Sequence, residues 1–167
     1  MAGDDGAGIE IVRRLRSIGG FGCRLLEMSQ SGVDLLDILQ ETNIVVFVDA
    51  VVSGSEAGML HILSLPSPDL QPRTLSTLSS HGWGLAEMLD LCHALGRPVP
   101  SMYLLGIEIH STTDSTSLST AVENSLDFAV EHFSSILALI GCEPSAGHLP
   151  MHIVPGRDDS RLESLCA

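Results

Sequence analysis

Lysine is absent from this chain of 167 residues, and eight arginines face 21 acids, a formal net charge of −13. Such a surface repels nucleic acid and anionic lipid and suits a cation or a positively charged partner segment. It also serves solubility. No apolar run reaches the roughly 18 residues of a membrane span, and no basic-then-apolar leader opens the chain. The cytoplasm is therefore the expected compartment. The four cysteines, at 23, 92, 142 and 166, include no C-x-x-C pair. Neither a disulfide framework nor a cysteine zinc site is expected, and Cys23 and Cys92 read as core thiols. Also missing are H-E-x-x-H, G-x-S-x-G, Walker A and G-x-G-x-x-G patterns.

What is present centres on Ile44-Val45-Val46-Phe47-Val48-Asp49. Five apolar, mostly β-branched residues stop at a carboxylate, the pattern of a strand buried on both faces of a parallel sheet. In open α/β sheets the carboxyl ends of strands gather ligands and catalytic groups.

Around this strand the periodicities alternate. A helix with an apolar stripe at 8–9, 11–12 and 15 ends at Gly19-Gly20. Strand-like runs follow at 22–28, 44–49, 58–63 and 101–108, with helices expected over 33–39, 83–95 and 118–139. Residues 64–80, with prolines at 66, 68 and 72, form a long connection. From Gly141 onward Gly, Pro, Ser and charge dominate, predicting a loosely ordered tail over 141–167 behind one domain of residues 1–140. The fold class is α/β, a doubly wound, largely parallel sheet. Such a fold begins with a strand, whereas this chain starts directly at its first helix.

In that arrangement Asp5, Asp49 and His81 converge on the carboxyl edge. Two carboxylates and an imidazole suit a borderline divalent cation such as zinc or nickel. Each has a plainer role open to it. Asp4 or Asp5 can cap helix one, Asp49 can bind backbone N–H groups, and His81 can stabilise its own turn. Asp4 is assigned to the cap or to supporting the ligands, and Asp5 to the metal. Glu108, at the next strand end, reads as a solvated rim acid bordering the same cleft. His61, His93, His110 and His132 read as structural, and His148 and His152 lie in the tail.

The ordered set Gly3-Asp4-Asp5-Gly6-Ala7-Gly8, Ser31-Gly32-Val33-Asp34-Leu35-Leu36, Val48-Asp49-Ala50, Ser80-His81-Gly82-Trp83-Gly84-Leu85-Ala86-Glu87, Leu105-Gly106-Ile107-Glu108 and Leu118-Ser119 resembles the hydrogenase maturation endopeptidases over about residues 3–140. The resemblance implies a three-layer α/β/α sandwich with a mostly parallel sheet. It also implies an endopeptidase that removes the C-terminal extension of a nickel-iron hydrogenase large-subunit precursor after nickel insertion. Asp5, Asp49 and His81 match the family's metal-binding acid, second acid and histidine. Nickel would come with the precursor, zinc or another divalent ion could substitute, and a monomer is expected. Asp5 and Asp49 are the candidate catalytic groups, with the metal either polarising the scissile carbonyl or serving recognition alone. Two other readings stand beside it: a non-catalytic nickel-binding assembly factor that docks on the precursor, and a zinc hydrolase of small amides. The family begins with a strand before the G-D-D-G segment, so either Met1 is not the native start or the chain is expected to be impaired.

Overall fold

The computed structural model describes residues 3–27, 36, 38–65, 85–110, 117–141 and 151–155. A 3-10 turn, Asp4–Gly6, leads into α1 (Ala7–Ile18), followed by β1 (Arg24–Leu25), β2 (Ile44–Val51), β3 (Leu60–Leu65), α2 (Leu85–Ala94), β4 (Ser101–Glu108), α3 (Thr120–Glu131), α4 (Phe133–Leu139) and β5 (Met151–Pro155). Leu36 and residues 38–40 are also helical. Among the described residues, no helix is long and apolar enough to cross a membrane.

The five strands form one sheet in the order β1-β5-β2-β4-β3. Strands β1, β5, β2 and β4 run parallel, and only β3, at the edge, is antiparallel, against β4. Alternation along β2 divides its side chains between two cores. Val46 and Val48 face Ile11, Leu15, Leu126 and Phe133 on one side. Val45, Phe47 and Val51 face Leu39, Leu89 and Cys92 on the other. A strand dry on both faces needs the uninterrupted apolar run that marks it in the sequence. The molecule is thus the expected three-layer α/β/α sandwich with a mostly parallel sheet.

Several boundaries differ from expectation. The run 22–28 yields only Arg24–Leu25 as strand, and the 58–63 strand lies at 60–65. The helix expected over 118–139 breaks at His132, whose ring stacks on Phe128 with centroids 4.2 Å apart. The connection over residues 66–80 and most of the 33–39 helix lie outside the described residues.

The largest correction concerns the tail. Residues 151–155 are not loosely ordered: they form β5, hydrogen-bonded between β1 and β2, with Ile44 opposite Met151 and Val48 opposite Pro155. The edge of β2 away from β4 is therefore covered by a segment from far along the chain. Local sequence hid this because a five-residue strand among Gly, Pro and charge carries little periodicity. Its order comes from two distant neighbours that would otherwise expose unpaired edges.

Helix α1 sits hard against β2 where Gly8 meets it. A Cβ built on Gly8 would lie 2.4 Å from the Val48 carbonyl oxygen. Replacing Gly8 by Ala gains about 1 kcal/mol of helix propensity. The clash is with strand backbone, which cannot rotate away, and overpacking of this kind costs about 1–3 kcal/mol or more. Gly8→Ala is expected to be destabilising on balance, measured by urea unfolding. Ile153→Pro, which removes an inner-strand N–H, is expected to lower the thermal midpoint by about 10 °C or more. An unchanged midpoint would show β5 to be dispensable.

Candidate active site at the carboxyl edge of the sheet

The parallel strands β5, β2 and β4 end at one edge, and their register places the acids there. Asp49 is opposite Gly106, and Val51 is opposite Glu108. Asp49 alternates with Val48 and Ala50, so its side chain lies on the α2 face with Phe47 and Val51. It is 6 % exposed, and its Oδ1 accepts the Ala50 N–H at 2.8 Å. A carboxylate this deep at a strand end is costly to bury unless it is bonded. Gly8 brings the start of α1 against Val48 and the Asp49 backbone. The 3-10 turn carrying Asp5, three residues earlier, packs on β2 as well. The backbone therefore puts Asp5 and Asp49 at the same edge. The side chain of Asp5 and all of His81 lie outside the described residues; α2 begins four residues after His81, at Leu85. Among the described residues, no group of three His, Cys, Asp or Glu is placed to hold a metal.

Asp4 does something other than cap its own helix. The start of α1 has no side-chain cap. Asp4 Oδ1 instead accepts the Ser119 N–H at 2.6 Å, where Ser119 is the N-cap of α3. The 3-10 turn separates Asp4 from the first turn of α1 and lets it reach across. This bond ties the two helix starts together at the carboxyl edge. Beside it opens a cleft of about 450 Å³ between the Gly3–Gly6 turn and residues 117–123, with Arg14 and Glu10 in its lining. Arg14 bonds Glu10 at 3.1 Å, Glu123 at 2.7 Å and Asp127 at 2.6 Å. Burial works against its charge, but the bonds and charges of Glu123 and Glu10 outweigh it and raise its pKa.

Glu108 is not a solvated rim acid: it is 1 % exposed. Its Oε1 accepts the backbone N–H groups of Ser53 at 2.7 Å and Gly54 at 2.9 Å. Its Oε2 accepts the Ser53 hydroxyl at 2.7 Å and faces His61 Nε2 at 2.9 Å. Burial alone would raise its pKa, but the Ser53 hydroxyl, the two N–H groups and His61 together hold it below the ordinary value. The sequence concealed this cluster because His61 reaches Glu108 only through the antiparallel β3–β4 ladder. Strand periodicity does not encode that pairing.

An α/β/α fold with buried acids at the carboxyl edge of its strands defines an acid-lined site. A family model described as HycI, hydrogenase maturation protease, matches residues 9–136, and the chain belongs to that family. It is similar to the hydrogenase maturating endopeptidase HybD from E. coli, at 25% identity and TM-score 0.66, covering 85% of this chain and 88% of that one. The [NiFe] hydrogenase maturation protease HybD from Thermococcus kodakarensis shares the fold at 22% identity and TM-score 0.56, covering 81% and 91%. No curated protein sequence matches the chain significantly.

A depressed carboxylate pKa stabilises the fold above the unfolded value, here 4.5, and that contribution is lost as pH falls through the folded value. Glu108→Gln is therefore expected to lower the unfolding midpoint at pH 7, with the difference from the parent protein shrinking as pH falls below 4.5, as read by thermal scans across pH. Parallel curves would contradict it.

Proposed function

We propose that this protein is a metal-dependent endopeptidase that removes the C-terminal extension of a nickel-iron hydrogenase large-subunit precursor after nickel insertion, acting in the cytoplasm as a monomer. The observation that carries the reading is Asp49, buried at the carboxyl end of the central strand of a chain that belongs to the maturation protease family.

In this reading the nickel belongs to the substrate. Asp5, Asp49 and His81 supply two oxygen donors and one nitrogen donor, a set that suits nickel or, in its place, zinc. Grasping the precursor's ion would fix the scissile peptide against the strand ends, which lowers the barrier by orientation. Asp49 or Asp5 then takes a proton from the attacking water, which adds to the scissile carbonyl, and the proton passes to the departing amide nitrogen. Asp49 is suited to this because its surroundings exclude bulk water while the Ala50 N–H fixes its orientation.

The test is purified protein mixed with nickel-loaded precursor, with and without a chelator, followed by intact mass. The expected result is loss of the C-terminal peptide, suppressed by the chelator and reduced about 100-fold or more by Asp49→Asn, the range for loss of a general base. Normal trimming by Asp49→Asn would refute the metal-binding and general-base roles given to Asp49. Tight binding without cleavage would instead identify an assembly factor.

A further inference from the structure

From the geometry we infer that Glu108 is a positioning residue for the substrate: it fixes the loop over residues 52–59 so that its Ser53–Gly54 end forms a wall near Asp49, against which the precursor's peptide is laid. The inference rests on the endopeptidase reading and adds a residue and a loop to it.

Asp49 and Glu108 lie on the same face of adjacent parallel strands, two positions apart in register. Strand spacing and rise put their Cα atoms about 8 Å apart. The loop leaves β2 after Val51, two residues past Asp49, and crosses the end of β4 to reach β3 at Leu60, so its Ser53 end is the part nearest Asp49 and its Gly58 end lies against α3. Glu108 pins both of its ends. The carboxylate takes the N–H groups of Ser53 and Gly54 and the Ser53 hydroxyl at one end. The Glu108 backbone holds the other end, accepting the Gly58 N–H at 2.8 Å and donating to Met59 O at 2.9 Å. Ser125 then bonds the Gly58 carbonyl and fastens that end to α3. Between the pins, Ser53 Oγ and Ser55 Oγ are 2.9 Å apart, and Gly54 and Glu56 are exposed.

Burying a carboxylate completely is an expensive way to tie a turn, since an apolar residue could close a sheet edge at lower cost. The expense is explained if the loop's position matters. A loop held by four donors presents its exposed residues, Gly54 and Glu56, in one arrangement, ready to bond an extended peptide beside the attacking water. Glu108 has every acceptor direction engaged within the loop and on His61, so it acts through the loop and not on the reacting atoms.

The experiment measures KM and kcat for nickel-loaded precursor with Glu108→Ala, Glu108→Gln and Ser53→Ala, each first checked for folding by circular dichroism. Loss of uniform binding raises KM and leaves kcat in place. Glu108→Ala is expected to raise KM about 10-fold, the scale of a lost charge-assisted hydrogen bond, with kcat within about 2-fold. Glu108→Gln keeps an acceptor for the two N–H groups and should recover part of that loss. Ser53→Ala should fall between. Should Glu108→Ala fail to fold, Glu108→Gln and Ser53→Ala decide. Wild-type KM and kcat in both overturn the inference, as does a fall in kcat at unchanged KM. Full cleavage by Asp49→Asn instead removes the role given to Asp49 and leaves the Glu108 comparison standing. Were the parent protein to bind precursor without cutting it, its dissociation constant would replace KM, with the same ordering of variants expected.

Discussion

The backbone of β2 is hydrogen-bonded along both edges, to β4 over eight positions and to β5 over five. The remaining features of the molecule depend on that double pairing. It aligns the ends of three parallel strands, so that acids far apart in sequence share one rim. It makes β2 dry on both faces, which is why Asp49 is the first polar side chain after five apolar ones. Helix α1 can approach only because position 8 lacks a side chain. That approach carries the Asp4–Gly6 turn to the same rim.

Two kinds of burial then divide the acids by role. Glu108 is surrounded by donors and stays charged; its bonds are spent on a loop. Asp4 is committed to the start of α3, a fastening between helices. Asp49 is the buried acid at the end of the central strand, and it faces the side of the sheet on which α2 packs. Carboxylates equivalent by residue type thus differ in chemistry because of what donates to them.

The central strand, the two-sided core and the largely parallel α/β class were legible because they are written in local periodicity: the apolar run at 44–48 and the stripe at 8, 11, 12 and 15. The fate of residues 151–155 was not. A five-residue segment acquires its conformation from partners more than 100 positions away, and composition points the other way. The same holds for His61 with Glu108, joined by an antiparallel ladder whose register no single strand encodes. The place of Asp49 near the carboxyl end of a buried strand was legible because an acid after five apolar residues is a local pattern, although the strand runs on to Val51. The assignment of Asp4 to α3 could not, since that bond spans 115 positions.

The origin of β5 near the far end of the chain has a consequence for biosynthesis. A ribosome translating this message finishes α1, β2 and β4 long before it reaches residue 151. The edge of β2 that β5 covers meets this partner only after Pro155 has cleared the exit tunnel. Pairing of β2 with β5 is therefore a late event in synthesis, and chaperone capture or misassociation competes for that edge until β5 arrives.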